Sequence, residues 1–218
     1  MAQIFPRSSN VLSRASVVVL LGAAGATLGG VMMMDRTGFN QRAGTTLEQP
    51  VPFSHEHHVQ GLGIDCRYCH TAVERSSTAG LPPTATCMNC HKLVWNEAPM
   101  LEPVRSSFRT GQPLKWAKVH DLPDFVYFDH SIHVAKGIGC ASCHGPVQEM
   151  RLMRSANAIQ MRWCLDCHRN PERHLRPKEE VFSTTWKAKD QEALGRELRE
   201  TYRIRPTELL TSCGTCHR

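Results

Sequence analysis

The stretch FSHEHHVQGLGIDCRYCH at residues 53–70 is written a second time, with small changes, as FDHSIHVAKGIGCASCH at residues 128–144. Both copies share Phe-x-His-x-x-His-Val, a glycine turn that runs into Ile, and a closing word, Cys-x-x-Cys-His. Each copy is followed by one more such word, CMNCH at 87–91 after the first and CLDCH at 164–168 after the second. A fifth word, CGTCH, stands at 213–217. The sequence holds 10 cysteines, and the five words use all of them.

The word has a specific chemistry. Two thiols in this spacing add to the two vinyl groups on one edge of a haem, and the adjoining His becomes an axial ligand of its iron. The attachment residues are therefore Cys66 with Cys69, Cys87 with Cys90, Cys140 with Cys143, Cys164 with Cys167, and Cys213 with Cys216. The proximal ligands are His70, His91, His144, His168 and His217. Zinc knuckles and disulfide frameworks also use paired cysteines, but neither requires a His directly after the second one. All five words have it. The expectation is five covalently bound haem c groups.

Each iron needs a sixth ligand or stays open for chemistry. In both copies two histidines stand three residues apart, His55 with His58 and His130 with His133. On a helical turn that spacing puts both rings on one face, where each can reach a different haem. By analogy with small cytochromes of this pattern, His55 serves the haem of His70 and His58 that of His91. His130 likewise serves the haem of His144, and His133 that of His168. Of the 12 histidines, His57, His120 and His174 are then left over. The fifth haem takes its distal ligand from His120, with His174 and the methionines Met150, Met153 and Met161 as rivals; His57 reads as a surface neighbour. Five irons with two protein ligands each would carry electrons and bind no substrate.

Composition supports polypeptide wrapped around porphyrin. Hydrophobic residues make up 41% and aromatics only 6%, lean for a protein-only core. The fold class expected is a multihaem cytochrome c, mostly coil with short α-helices around five haems and little β structure. The formal charge of +6 omits the propionate pair that each haem brings, and the cations are scattered, so no nucleic-acid partner is indicated.

Residues 15–34, ASVVVLLGAAGATLGGVMMM, contain no charge. Such a run is long enough to cross a bilayer, and the basic residues Arg7 and Arg14 before it place the amino end inside. A cleaved signal peptide competes, because Ala24-Gly25-Ala26 resembles a cleavage site; the apolar run continuing past it favours a retained anchor. Gly25 and Gly29 form a GxxxG spacing that lets a second helix approach. The organisation expected is a cytoplasmic segment at 1–14, an anchor at 15–34 and a linker at 35–52. The first two-haem module follows at 53–91, then a connector at 92–127, the second module at 128–168, and a segment with the fifth haem at 169–218. Short helices are expected within 96–110, limited by Pro99 and Pro103, and an exposed helix within 186–202.

The two copies, together with LKWAKVHDLPDFVYFDHSIHVAKGIGCASCHGPVQEM and MRWCLDCHRNPE, resemble the pentahaem cytochrome c subunit of bacterial alternative complex III. The likeness runs over residues 52–167, takes in the apolar amino-terminal segment and reaches the last haem word. The Phe-x-His-x-x-His element by itself also resembles class III multihaem cytochromes c. The resemblance implies a single-pass protein of the bacterial inner membrane with its haem domain on the periplasmic side. It implies an electron-transfer role after quinol oxidation, in a respiratory or photosynthetic complex, and it implies that His120 is a ligand. The partners implied are an iron–sulfur subunit, a monohaem cytochrome c, other membrane subunits and the lipid bilayer. A stand-alone membrane-anchored quinol dehydrogenase is the alternative. A nitrite-reducing multihaem enzyme would carry a Cys-x-x-Cys-Lys word, which does not occur.

Overall fold

The computed structural model describes residues 4–37 and 42–217. Part of the expected linker, residues 38–41, lies outside that range. The chain divides into two units, one ending at Arg42 and one beginning at Ala43.

The first unit is a single helix, α1, Ser9–Arg36. It contains the charge-free run 15–34 and extends beyond it at both ends. Three of its hydroxyls are satisfied internally: Ser13, Ser16 and Thr27 donate to the carbonyls of Asn10, Ser13 and Ala23. A helix that turns hydroxyls onto its own backbone presents an apolar wall along its charge-free run, residues 15–34. Thr37 adopts extended backbone and ends it. At 1.5 Å per residue the helix is about 42 Å long, enough to cross a membrane. None of its residues is buried.

The second unit has no sheet among the described residues, only three isolated β-bridges, so the expected scarcity of β structure holds. Its helices are short. Three haem words form single turns: α2, Cys66–Cys69, α6, Cys140–His144, and α10, Cys213–Cys216. The second word of each module sits on a longer helix, α3, Thr84–His91, and α7, Met161–Arg169. A helical turn puts the two cysteines, at i and i+3, and the histidine at i+4 on one side.

Between the modules, Pro99–Leu101 forms a 3₁₀ turn and α4, Glu102–Thr110, follows with Pro103 in its first turn. Gly111, at φ 70°, ends it. Val104 and Leu101 pack with Val51 into a small core that Cys87, Met88, Ala98, Leu114 and Trp116 border. The helix expected within 186–202 is α8, Gln191–Thr201, which begins where the Asp190 carboxylate accepts from the Ala193 amide at 2.9 Å. Its Gly195 lies directly on the Glu172 backbone, and a methyl group there would sit 1.9 Å from the Glu172 carbonyl oxygen. Two further helices complete the unit, α5, His130–Ala135, and α9, Thr207–Leu210.

Only eight apolar side chains and Pro171 are buried among the described residues. A unit of this size cannot be held by so small a core alone. Most of its cysteines and histidines are half-buried beside that core.

Candidate haem-binding sites

In the second copy the element Phe-x-His-x-x-His forms α5, and Asp129 caps it by accepting from the Ser131 amide at 2.8 Å. The Phe128 ring stacks on His133 at 4.6 Å and meets His130 edge-on at 4.8 Å. In the first copy Phe53 does the same, stacked on His58 at 4.4 Å and edge-on to His55 at 4.9 Å. One phenyl ring thus fixes both imidazoles of a pair. The second histidine of each pair donates Nδ1–H to a carbonyl four residues back, His58 to Ser54 at 2.8 Å and His133 to Asp129 at 2.7 Å. That leaves Nε2 free for a metal.

The rings then meet the histidines of the haem words at a repeated distance. His58 faces His91, His130 faces His144 and His133 faces His168, each with ring centres 6.2 Å apart. An iron about 2 Å from a nitrogen of each ring sets the centres roughly 6 Å apart, so the spacing fits an axially ligated haem iron. Interplanar angles are 2° for His130 with His144, 19° for His133 with His168 and 65° for His58 with His91. His55 lies close enough to His70 to feel its charge.

Backbone carbonyls hold the remaining ring nitrogens, as expected for haem-ligating imidazoles. His70 donates to Gly80, His91 to Val94, His130 to Ser77, His168 to Leu210 and His217 to Phe125, at 2.7 to 3.1 Å. Three buried ring nitrogens have no partner: His55 Nδ1, His144 Nδ1 and His120 Nε2. Burial, with the neighbouring histidines adding to it, pulls His55 down to about 4 and His144 to about 3. Neutral imidazole is the ligating form, so iron has no proton to displace at these positions near neutral pH.

The structure also shows which words adjoin. Tyr68 of the first word accepts at its hydroxyl from Asn89 of the second at 3.0 Å. Cys66 of the first lies close enough to Cys140 of the third for the two thiols to act on each other, which draws Cys66 down and pushes Cys140 up. Arg67 lies over Phe182 at 4.4 Å while the Cys140 amide donates to Val181, so both words rest on one segment. Burial and then the neighbouring Cys164 of the fourth word push Cys143 of the third up to about 11. Burial and then Cys216 of the fifth push Cys164 up. The order of adjacency is second, first, third, fourth, fifth.

The leftover histidines have distinct places. His120 packs edge-on against His144, 4.5 Å between ring centres. His217 packs against Phe125 at 5.8 Å, and the recorded ring contacts do not bring His120 to it. His57 is exposed and stacks on Trp95 at 5.6 Å. His174 makes its electrostatic contacts with Arg173 and Glu172. Met150 is fully buried, whereas Met161 is 61% exposed. Spacing did not reveal the carbonyls of Ser77, Gly80 and Leu210, because any residue supplies a carbonyl.

The pattern for cytochrome c7 and related cytochrome c matches residues 126–218, which hold the third, fourth and fifth words. A stretch of 98 residues is 40% identical to the multihaem cytochrome c subunit of a menaquinone reductase from Nitratidesulfovibrio vulgaris. It covers 44% of this chain and 46% of that relative, so the chain spans less than half the relative's length. Helix and coil without a sheet among the described residues, paired imidazoles at iron spacing and the matched segment make the fold class that of the multihaem cytochromes c, a family whose haem c is covalently bound.

Proposed function

We propose that this protein is a membrane-anchored pentahaem cytochrome c, the electron-transfer subunit of a quinol-oxidising complex of the alternative complex III type. Bound haem c supplies one-electron redox chemistry. The chain's own residues attach it, ligate it from both sides and set the order in which the sites adjoin. One observation carries the reading: three histidine pairs stand at 6.2 Å across their sites, a distance filled by an iron with no position left for a substrate. His55 with His70 makes the fourth pair. His120, whose Nε2 is buried and unpartnered, is the proposed distal ligand opposite His217, and it borders the third site. Electrons then pass between an end at the second word and an end at the fifth. The apolar helix α1 anchors the chain, with the haem unit on the periplasmic side and an iron–sulfur subunit and a monohaem cytochrome c as partners.

A second reading reverses the direction. The relative in Nitratidesulfovibrio vulgaris is a subunit of a menaquinone reductase, which favours delivery of electrons to a quinone. Purification in mild detergent decides between complex and stand-alone protein by what copurifies, and recovery of this chain alone counts against the complex. Haem quantification should give five per chain. Electron paramagnetic resonance of the oxidised protein should show low-spin signals only; a stoichiometric high-spin haem that binds cyanide would sink the relay reading. Reduction of the haems by a quinol, set against oxidation of the reduced haems by a quinone, gives the direction.

A further inference from the structure

Arg176 is a cation without a carboxylate partner, placed against the third haem word. None of the ion pairs among the described residues involves it. Its Nη1 donates to the carbonyls of Glu180 at 3.3 Å and Ser183 at 3.2 Å, and its guanidinium lies over the Trp186 ring at 5.2 Å. Its Nε is buried with no acceptor. Carbonyls and an aromatic face orient a guanidinium, but they leave its full charge in place.

The charge is held at the attachment point. A methyl group on Gly139, the residue before Cys140, would sit 2.3 Å from the Arg176 Cζ, so only glycine allows the guanidinium this close. The Arg176 amide donates to the Gly137 carbonyl at 2.9 Å, and the Cys140 amide donates to Val181 at 3.2 Å, which pins both sides of the contact. Burial pulls the Arg176 pKa down, the sign of a cation partly stripped of water. The nearby carboxylate that acts on it is that of Glu180.

We propose that Arg176 sets the reduction potential of the haem held by Cys140 and Cys143, keeping it higher than an uncharged residue would. Reduction lowers the charge at a haem iron by one unit, so a fixed cation in a poorly solvated position favours the reduced form. The inference rests on the proposed haem at the third word.

The test is a spectroelectrochemical titration of the full, haem-loaded chain in detergent. Arg176→Gln should lower one midpoint with about a tenfold change in that haem's reduction equilibrium, which is roughly 59 mV for one electron. Arg176→Lys, which keeps the charge and loses the fork, should move it less. His130→Met, which changes an axial ligand of the same haem, should move the same midpoint and so identify it. All five midpoints unchanged in Arg176→Gln, with five haems attached, would overturn the proposal. Should Arg176→Gln fail to mature, Glu180→Gln carries the test: loss of that carboxylate should raise the same midpoint, and no rise overturns the proposal. Peptide masses showing Cys140 and Cys143 as free thiols in the wild type would instead overturn the haem reading itself.

Discussion

The two copies place their histidines alike but spend different lengths of chain to do it. Residues 53–70 hold one residue more than residues 128–144, and the excess lies between the second histidine and the first cysteine. The first copy absorbs it in a wide π-type turn, Glu56–Gly61, where the second forms the α-helical turn His130–Ala135. In both, the amide of the Ile after the glycine closes on the second histidine's carbonyl, Ile64 on His58 at 3.1 Å and Ile138 on His133 at 3.0 Å. One inserted residue converts an α turn into a π turn without moving the ends. The lesson is that the placing of the imidazoles and the cysteines is kept, and the backbone between them adapts.

The copies differ in what surrounds them. Gly63 and Gly137 hold equivalent places, at φ 67° and 78°. A methyl group on Gly63 would meet nothing within 4 Å, whereas on Gly137 it would lie 2.5 Å from the Arg176 carbonyl oxygen and 2.8 Å from the Tyr202 ring. Gly137→Ala should therefore cost about 3–5 kcal/mol and reduce the yield of haem-loaded protein. Gly63→Ala should cost only the left-handed strain, about 1–2 kcal/mol. Chemical denaturation of the purified variants measures both, and equal costs would erase the contrast.

Next in size is the loss of a distal ligand. His130→Ala and His55→Ala should each turn one haem high-spin by electron paramagnetic resonance. His130 also donates to Ser77 between the two words of the first module, whereas His55 Nδ1 has no partner. Thermal unfolding should therefore fall further for His130→Ala, by the value of about one hydrogen bond, near 1 kcal/mol.

A milder change tests the turn itself. Deleting the exposed Gln60 gives the first copy the length of the second, and the chain should keep every haem low-spin with stability changed by less than about 1 kcal/mol. A new high-spin signal would show that the π turn is needed for His58. The smallest difference needs no variant. Near-parallel rings at the third and fourth sites should give rhombic low-spin signals, and the 65° pair at the second a signal with larger anisotropy.

Much of this was legible in the sequence. The Cys-x-x-Cys-His words name every thiol, and a duplicated His-x-x-His names four more imidazoles, because haem attachment demands residue types that spacing preserves. The sequence reading also foresaw little sheet and a long apolar helix. It did not show the wide turn at 56–61, since an insertion can be taken up in a loop, a bulge or a helix alike. Nor did it show that the first and third words meet at Cys66 and Cys140, which are 74 residues apart (140 minus 66). The role of Ser77 was equally hidden: it acts through its carbonyl, and a carbonyl has no signature in the alphabet of side chains.

The tie between the fifth word and residues 125–127 bears on how such a chain can be made. His217 donates to the Phe125 carbonyl across 92 residues, and the Tyr127 amide donates to the Cys216 carbonyl at 2.8 Å. α9, just before that word, supplies the Leu210 carbonyl that orients His168. In a chain made amino end first, the contacts of each copy's own turn close early. Residues 125–127 and His168 of the fourth word wait for residues 210–217 to emerge. The contacts that orient His168 are therefore among the last that assembly can make.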